Sequence, residues 1–543
     1  MPEIEIDPTT RIEGHHSTTL QVEDGTVTEA KSHMDMFRGA EIVTLGRRAS
    51  DAPQFCQMVC GVCFTCHRMC SILALEDAAK KAGVFDGVPR DARLARDVME
   101  GLYYLWNHAV HLFALAGPDY SDAVAGTGFE RLDPMSGEGY LTALDQQRKV
   151  LQAFTEFGGR APHPLTYAPG GVTANPDRET IGEIKSIVTE VNQWLGPTDA
   201  VPDVVEDVKN GTVDADYAQG LHDVVSILVA AKKAGADEFG VGPGRFYSNG
   251  AFHGTRDEGR VIPRGVYADG KLRRPSRQEV ANAITEDTAY SWYTDDSGGS
   301  PKSAKPPEPQ PDKDDAYTWG KAPRYDGQTM EVGPLARMIS AELDPFDLRA
   351  ALGGSPTKSS TLNRLIARAQ EALVVRDKLV EWLDAIDPDG EFQAEWTDDF
   401  SGSGFGLWAP SRGALSHWVD VQDGQIERYQ IITPTLWNLG PRDEAGKPSI
   451  FEGAVEGMPV EDPENPIDVM RTIRSFDPCL ACSVHVQSPQ GEYETVLEPA
   501  SPGEMATGGA DESGSHGDES ECCGDDCECR DDDRGHPAPE REG

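Results

Sequence analysis

No run of eighteen apolar residues occurs in the 543-residue chain, so no segment is expected to cross a bilayer as a helix. The N-terminus, MPEIEIDPTTR, has neither a basic start nor an apolar stretch, and no secretory signal peptide is expected there. Positive charge is scarce too. Against 92 acidic side chains stand 49 basic ones, 33 Arg and only 16 Lys, for a net charge of −43. No basic surplus exists to neutralise phosphates, so nucleic acid is not expected as a partner. A folded chain with this acid excess and little Lys reads as one adapted to high salt, where screening tolerates crowded carboxylates. Eleven cysteines are too few for a disulfide scaffold in a chain this long.

Periodicity supplies the fold class. Thr18–Val22 and Thr26–Thr28 flank Asp24-Gly25, and Trp418–Val421 and Ile426–Tyr429 flank Asp423-Gly424; each reads as a β-hairpin. Helical spacing dominates between them. Ile181, Ile184, Val188, Val191 and Leu195 share a face before Gly196, and Leu362, Leu365, Ile366, Leu373, Leu379 and Leu383 do so before Pro388. A third helix, about Arg93–Ala116, is apolar on more than one side and is expected to be central. The expectation is a mainly α chain with small β-sheets (α+β), built on a central bundle of long helices. Segment 296–314 reads as a polar surface loop, and from about Pro499 the chain is acidic and of low complexity.

The cysteines are grouped. Cys56, Cys60, Cys63, Cys66 and Cys70 cluster early, Cys479 and Cys482 stand alone, and Cys522, Cys523, Cys527 and Cys529 lie in the tail. Cys60/Cys63 and Cys479/Cys482 are both C-x-x-C pairs, four thiolates able to enclose a soft or borderline metal. A structural zinc site is one reading. Zinc pairs usually lie about 15–20 residues apart, whereas Cys63 and Cys479 are 416 apart, and each pair is followed by a histidine, His67 and His485.

The runs DPTTRIEGH (Asp7–His15), MFRGAE (Met36–Glu41), CGVCFTCH (Cys60–His67) and FDPCLACSVHV (Phe476–Val486) resemble signature blocks of [NiFe]-hydrogenase large subunits, in family order. PHPLTYAPGGVT, KAPRYDGQTMEVGPLAR and TLWNLGPRDEAG resemble further blocks, so the likeness spans about residues 5–497. The resemblance implies the catalytic subunit that interconverts dihydrogen with protons and electrons at a nickel–iron centre whose iron carries carbon monoxide and cyanide. It implies Cys60 and Cys479 as terminal nickel ligands and Cys63 and Cys482 as bridges to iron. His67 would hydrogen-bond a bridging sulfur, and Glu13 would carry the proton away. Arg442 would sit above the vacant position, oriented by Asp477. Glu41 and His485 would hold a second ion, magnesium or ferrous iron.

Two positions depart from the family pattern: Met58 stands where an arginine is common, and Asn107 where an aspartate often precedes the helix histidine. Cys56, Cys66 and Cys70 are extra and are expected to be buried free thiols. No other body cysteines have iron–sulfur spacing, so the resemblance implies an iron–sulfur small subunit. It also implies, through the respiratory uptake branch, a membrane cytochrome or quinone-linked acceptor. The chain would then be membrane-associated through its partner, on the outer face by co-export, with a cytoplasmic site the alternative. A maturation protease would cut after His485, dividing a catalytic domain, 1–485, from a removable extension, 486–543. A dihydrogen sensor, a non-catalytic four-cysteine scaffold, and a relative that kept the fold without the metal are the competing readings.

Overall fold

The computed structural model describes residues 3–480 except 38, 64, 213–218, 256–258, 354 and 356; Cys482, His485 and the acidic tail lie outside the described residues. The first hairpin forms as expected. Strands His16–Glu23 and Thr26–Met34 pair antiparallel, and Asp24 and Gly25 both take positive φ, 48° and 74°, as a two-residue turn of matching twist requires. Glu3–Ile6 adds a third strand. The apolar face of this sheet (Leu20, Val22, Val27, Met34) packs against Phe451, Ile473, Phe476 and Leu480. The start of the chain is thereby held against the segment that carries Cys479.

The helical core contains Arg90–Val110, Glu138–Gly158, Arg178–Leu195, Gln219–Lys233 and Thr361–Ala385. Two of the expected helices start at side-chain caps: Asp177 accepts from the Thr180 amide and Ser360 from the Asn363 amide. The central helix, Arg90–Val110, continues as a wider π-type turn over His111–Ala116. It buries charge as well as apolar surface, and each buried charge is partnered. Arg96 meets Glu76 at 2.9 Å, Asp97 accepts the His253 and Gly254 amides at 2.7 and 2.6 Å, and His108 meets Glu371 at 3.0 Å.

The second expected hairpin lies in a sheet of Gly402–Trp408, Leu415–Gln422 and Gln425–Ile432. Its first strand rests directly on the helix Cys66–Lys81. A Cβ on Gly404 would come 2.2 Å from Ala74 O and one on Gly406 2.1 Å from Cys70 O, so only glycine permits the contact. That contact fixes the helix bearing His67 against the sheet bearing His417. Segment 296–314 is a loop, but it is pinned rather than free: Lys313 donates to Thr288 O and Tyr293 O at 2.7 and 2.9 Å, and Ser297 is buried. Among the described residues no helix is long and apolar enough to cross a membrane.

Candidate metal centre

Cys60 and Cys63 lie in the turn between helices Ala52–Gln57 and Cys66–Lys81. The Val62 and Cys63 amides donate to Cys60 Sγ at 3.3 and 3.1 Å, which fixes the sulfur inside the turn. Cys479 arrives from the far end of the chain. Helix Ile467–Ser475 stops at Phe476, and Asp477 takes φ 56°, a left-handed conformation that aspartate tolerates better than most residues. The chain then turns through Pro478. The Cys479 amide donates to Thr435 Oγ1 at 3.0 Å and the Leu480 amide to Glu13 O at 2.8 Å.

Three sulfurs meet as a result. Cys479 Sγ lies 3.2 Å from Cys60 Sγ and 3.7 Å from Cys63 Sγ, and the three are the one metal-capable group of His, Cys, Asp or Glu among the described residues. All are buried. Burial, the Cys60 sulfur and Glu13 push the Cys479 thiol well above its ordinary range, while Arg412 pulls it down. A cation among these sulfurs would offset that penalty, and the soft donor set suits nickel or another thiophilic metal.

Glu13 is where the resemblance implies a proton carrier. Its Oε2 accepts a hydrogen bond from Cys479 Sγ at 3.0 Å, and its backbone bridges to Cys479. Asp477 is buried between two guanidiniums, 3.0 Å from Arg412 and 2.9 Å from Arg368. Burial pushes its carboxyl up, but Arg412 and Arg368 outweigh that and hold it below the ordinary range. Asn107 Nδ2 donates to Asp477 Oδ2 at 3.1 Å, and Asn107 Oδ1 accepts from Ser411 Oγ; here a neutral amide contacts Asp477. Met58 is 52% exposed, on the surface beside the first pair.

Arg442 requires correction. Its guanidinium pairs with Glu456 and reaches Glu29 at 3.9 Å and Ala30 O at 3.3 Å, against the N-terminal sheet. The arginine beside the sulfurs is Arg412. A small enclosed cavity is lined by Cys63, His67, Tyr103, Arg412, Thr435 and Cys479, and Arg412 Nε donates to Asp477 O at 3.0 Å. Arg442 lies within TLWNLGPRDEAG, a run that resembles a family block, while Arg412 lies in PSRGAL, outside every run that carries the resemblance. A lone buried arginine announces itself only through its partners.

His67 is 1% exposed and lines the same cavity; burial lowers its pKa to about 3, and its Nδ1 pairs with His417 Nε2 at 3.2 Å. Glu41 is buried, and desolvation raises its carboxyl to about 7, with Lys321 opposing and Glu286 adding to the rise. Lys321 in turn sits 3.3 Å from buried Glu286. His485, the other implied ligand of the second ion, lies outside the described residues, as does Cys482. Cys56, Cys66 and Cys70 are buried free thiols, as expected.

A family model described as nickel-dependent hydrogenase matches residues 38–135 and 132–485, and one described as HoxL-like matches 3–37. The periplasmic [NiFeSe] hydrogenase large subunit of Desulfomicrobium baculatum is 33% identical over 531 residues, covering 91% of this chain and 97% of that protein. The uptake hydrogenase large subunit of Cupriavidus necator is 28% identical, with coverage of 91% and 97%. Among solved structures, the Ni-Fe-Se hydrogenase of D. vulgaris Hildenborough in its reduced state superposes with a TM-score of 0.76 at 33% identity, over 89% of this chain and 100% of that one.

Proposed function

The chain belongs to the nickel-dependent hydrogenase large subunits, and from that premise we propose how its own residues hold the metal centre and move the proton. It is the catalytic subunit of a hydrogenase of the nickel–iron type, an oxidoreductase that works with a small subunit. Cys60, Cys63 and Cys479, with Cys482, would hold a nickel–iron centre whose iron carries carbon monoxide and cyanide, their thiolates supplying the soft, electron-rich donors such a centre needs. When bound, the centre polarises dihydrogen so that it splits heterolytically.

Glu13 then accepts the proton from the Cys479 sulfur and passes it outward. The observation that carries this reading is the 3.0 Å contact between Glu13 Oε2 and Cys479 Sγ. Arg412, held by Asp477, places a fixed positive charge at the wall of the cavity and so favours negative charge on the sulfurs. Glu41 and His485 hold magnesium or ferrous iron. Support for Glu41 is its burial beside Lys321 and Glu286, a placement that a free carboxylate pays for by protonating. A structural zinc scaffold needs neither Glu13 nor Arg412 beside its sulfurs, and that disfavours it.

Electrons leave to iron–sulfur clusters of the small subunit, because the described residues contain no second cysteine group. Likeness to uptake-type subunits supports respiratory uptake with a membrane cytochrome or quinone-linked acceptor, and so membrane association through the partner. The acid surplus supports a high-salt origin. The family match ends at residue 485, which supports 1–485 as the catalytic domain and protease cleavage there. The test is Cys479→Ser in the assembled enzyme: dihydrogen-dependent dye reduction should vanish together with bound nickel, because an oxygen ligand suits nickel poorly here. Full activity in that variant would defeat the ligand assignment.

A further inference from the structure

Positive charge, scarce in the chain as a whole, is concentrated in one stretch. Residues 260–277 contain six basic side chains and one acidic one, Asp269, in a protein of net charge −43. A hairpin folds this stretch back on itself. Strands Gly265–Ala268 and Lys271–Arg273 pair antiparallel with Val266 opposite Arg273, so Arg264 before the first strand lies beside Arg274 after the second. The Arg274 guanidinium donates to Arg264 O at 3.5 Å, and Arg277 opens the short helix that follows.

Arg260, Arg264, Arg274 and Arg277 all line one cavity of about 860 Å³, which shares no lining residue with the cavity beside the sulfurs. The acidic groups at its wall do not balance these cations. Glu76 is committed to Arg96 at 2.9 Å, Asp77 is divided between Lys81 at 2.7 Å and Arg277 at 3.1 Å, and Asp86 is exposed to solvent. Arg264 has no ion pair among the described residues; one terminal nitrogen reaches Pro275 O at 3.4 Å, and its Nε is buried without a hydrogen-bond partner. Crowding shows in the titration of the group. Burial lowers Arg260 to about 10, with Asp97 opposing and Arg264 and Arg277 adding to the fall, and burial and Arg277 lower Arg264. Guanidiniums still keep their protons at neutral pH, so a counter-anion, not deprotonation, relieves the repulsion.

We propose that this cavity is a binding site for a small oxyanion with two or more negative charges, carried on phosphate or carboxylate groups. A planar guanidinium meets either group with two parallel hydrogen bonds. Two of the arginines are held in place by stacking, Arg260 at 4.7 Å over the Trp408 ring and Arg277 at 4.9 Å over the Phe405 ring, so less order has to be imposed when the anion arrives. The volume falls in the range of roughly 300–1,000 Å³ common to small-molecule sites. Leu73, Phe85 and Leu407 give the cavity apolar wall as well, with room for a carbon skeleton beside the charged groups.

Isothermal titration calorimetry of the assembled enzyme with pyrophosphate and, separately, with citrate, both at fixed ionic strength, tests this. At least one should bind saturably at one site per chain, and the arm that binds more tightly identifies phosphate or carboxylate as the recognised group. Arg264→Gln should weaken that binding at least about ten-fold. Arg178→Gln, which removes an exposed charge on the helix Arg178–Leu195, should leave it within about two-fold. On the wild type, the bound anion should protect Arg264 from phenylglyoxal and leave Arg178 reactive, read by peptide mass spectrometry, so the site is located even if Arg264→Gln does not fold. No saturable binding of either anion, equal weakening by the two substitutions, or protection that spares Arg264 overturns the proposal.

Discussion

Replacing Glu13 by Gln isolates the proton step. The carboxylate oxygen sits 3.0 Å from Cys479 Sγ, within direct transfer distance, and the Glu13 backbone is pinned by the Leu480 amide at 2.8 Å. An amide of the same shape preserves that geometry and can still accept a hydrogen bond, but it cannot hold a transferred proton. A positioned acid–base group contributes about 10²–10⁴-fold in rate, and at about 1.36 kcal/mol per decade this corresponds to roughly 3–5 kcal/mol of barrier. Dihydrogen oxidation with an artificial dye acceptor should fall by that factor, and dihydrogen–deuterium exchange with solvent should fall with it, since both need proton exit. Nickel content should be unchanged, because Glu13 is not a ligand. Dye reduction within about two-fold of wild type would show that the proton leaves by another route, whatever the contact distance.

The corrected arginine gives a paired test: Arg442→Ala should leave turnover within about two-fold, because its partners Glu456 and Glu29 lie away from the sulfurs, whereas Arg412→Lys should lower turnover at least about ten-fold, because one ammonium cannot keep both the Nε bond to Asp477 O and the ion pair to its carboxylate. The stabilisation contributed by Glu452 should be lost as pH rises from about 4.5 to about 7, because burial raises its carboxyl to about 7 and the native state there binds a proton that the unfolded chain has released. The difference in denaturant midpoint between wild type and Glu452→Gln should shift against the wild type as pH rises across that window, and a difference independent of pH would refute the assignment. Intact-mass measurement of active enzyme should find a chain ending at His485, shorter by 58 residues and with net charge changed from −43 to −29.

Much of the frame was legible because its signals are local. Asp24-Gly25 and Asp423-Gly424 can each take the two positive φ values of a tight hairpin, and alternation on either side set the strands. The long helices showed through apolar spacing and a terminal glycine or proline. The cysteine pairs were legible as motifs, and Glu13 through its run. Arg412 was not, since its position beside the sulfurs depends on Asp477 closing a turn 65 residues away in sequence. His417 was hidden differently: it sits in the strand LSHWVDVQ, where a histidine among inward-facing residues reads as packing until its partners are known. The pairing of Arg442 with Glu456 joins two loop segments that carry no common period.

Anomalous diffraction from crystals of the assembled enzyme, collected on either side of the nickel absorption edge, tests the central claim most directly. One nickel peak should lie among the sulfurs of Cys60, Cys63, Cys479 and Cys482, and it should be absent from Cys479→Ser crystals. A peak at the zinc edge alone, or a nickel peak away from these four sulfurs, would contradict the account.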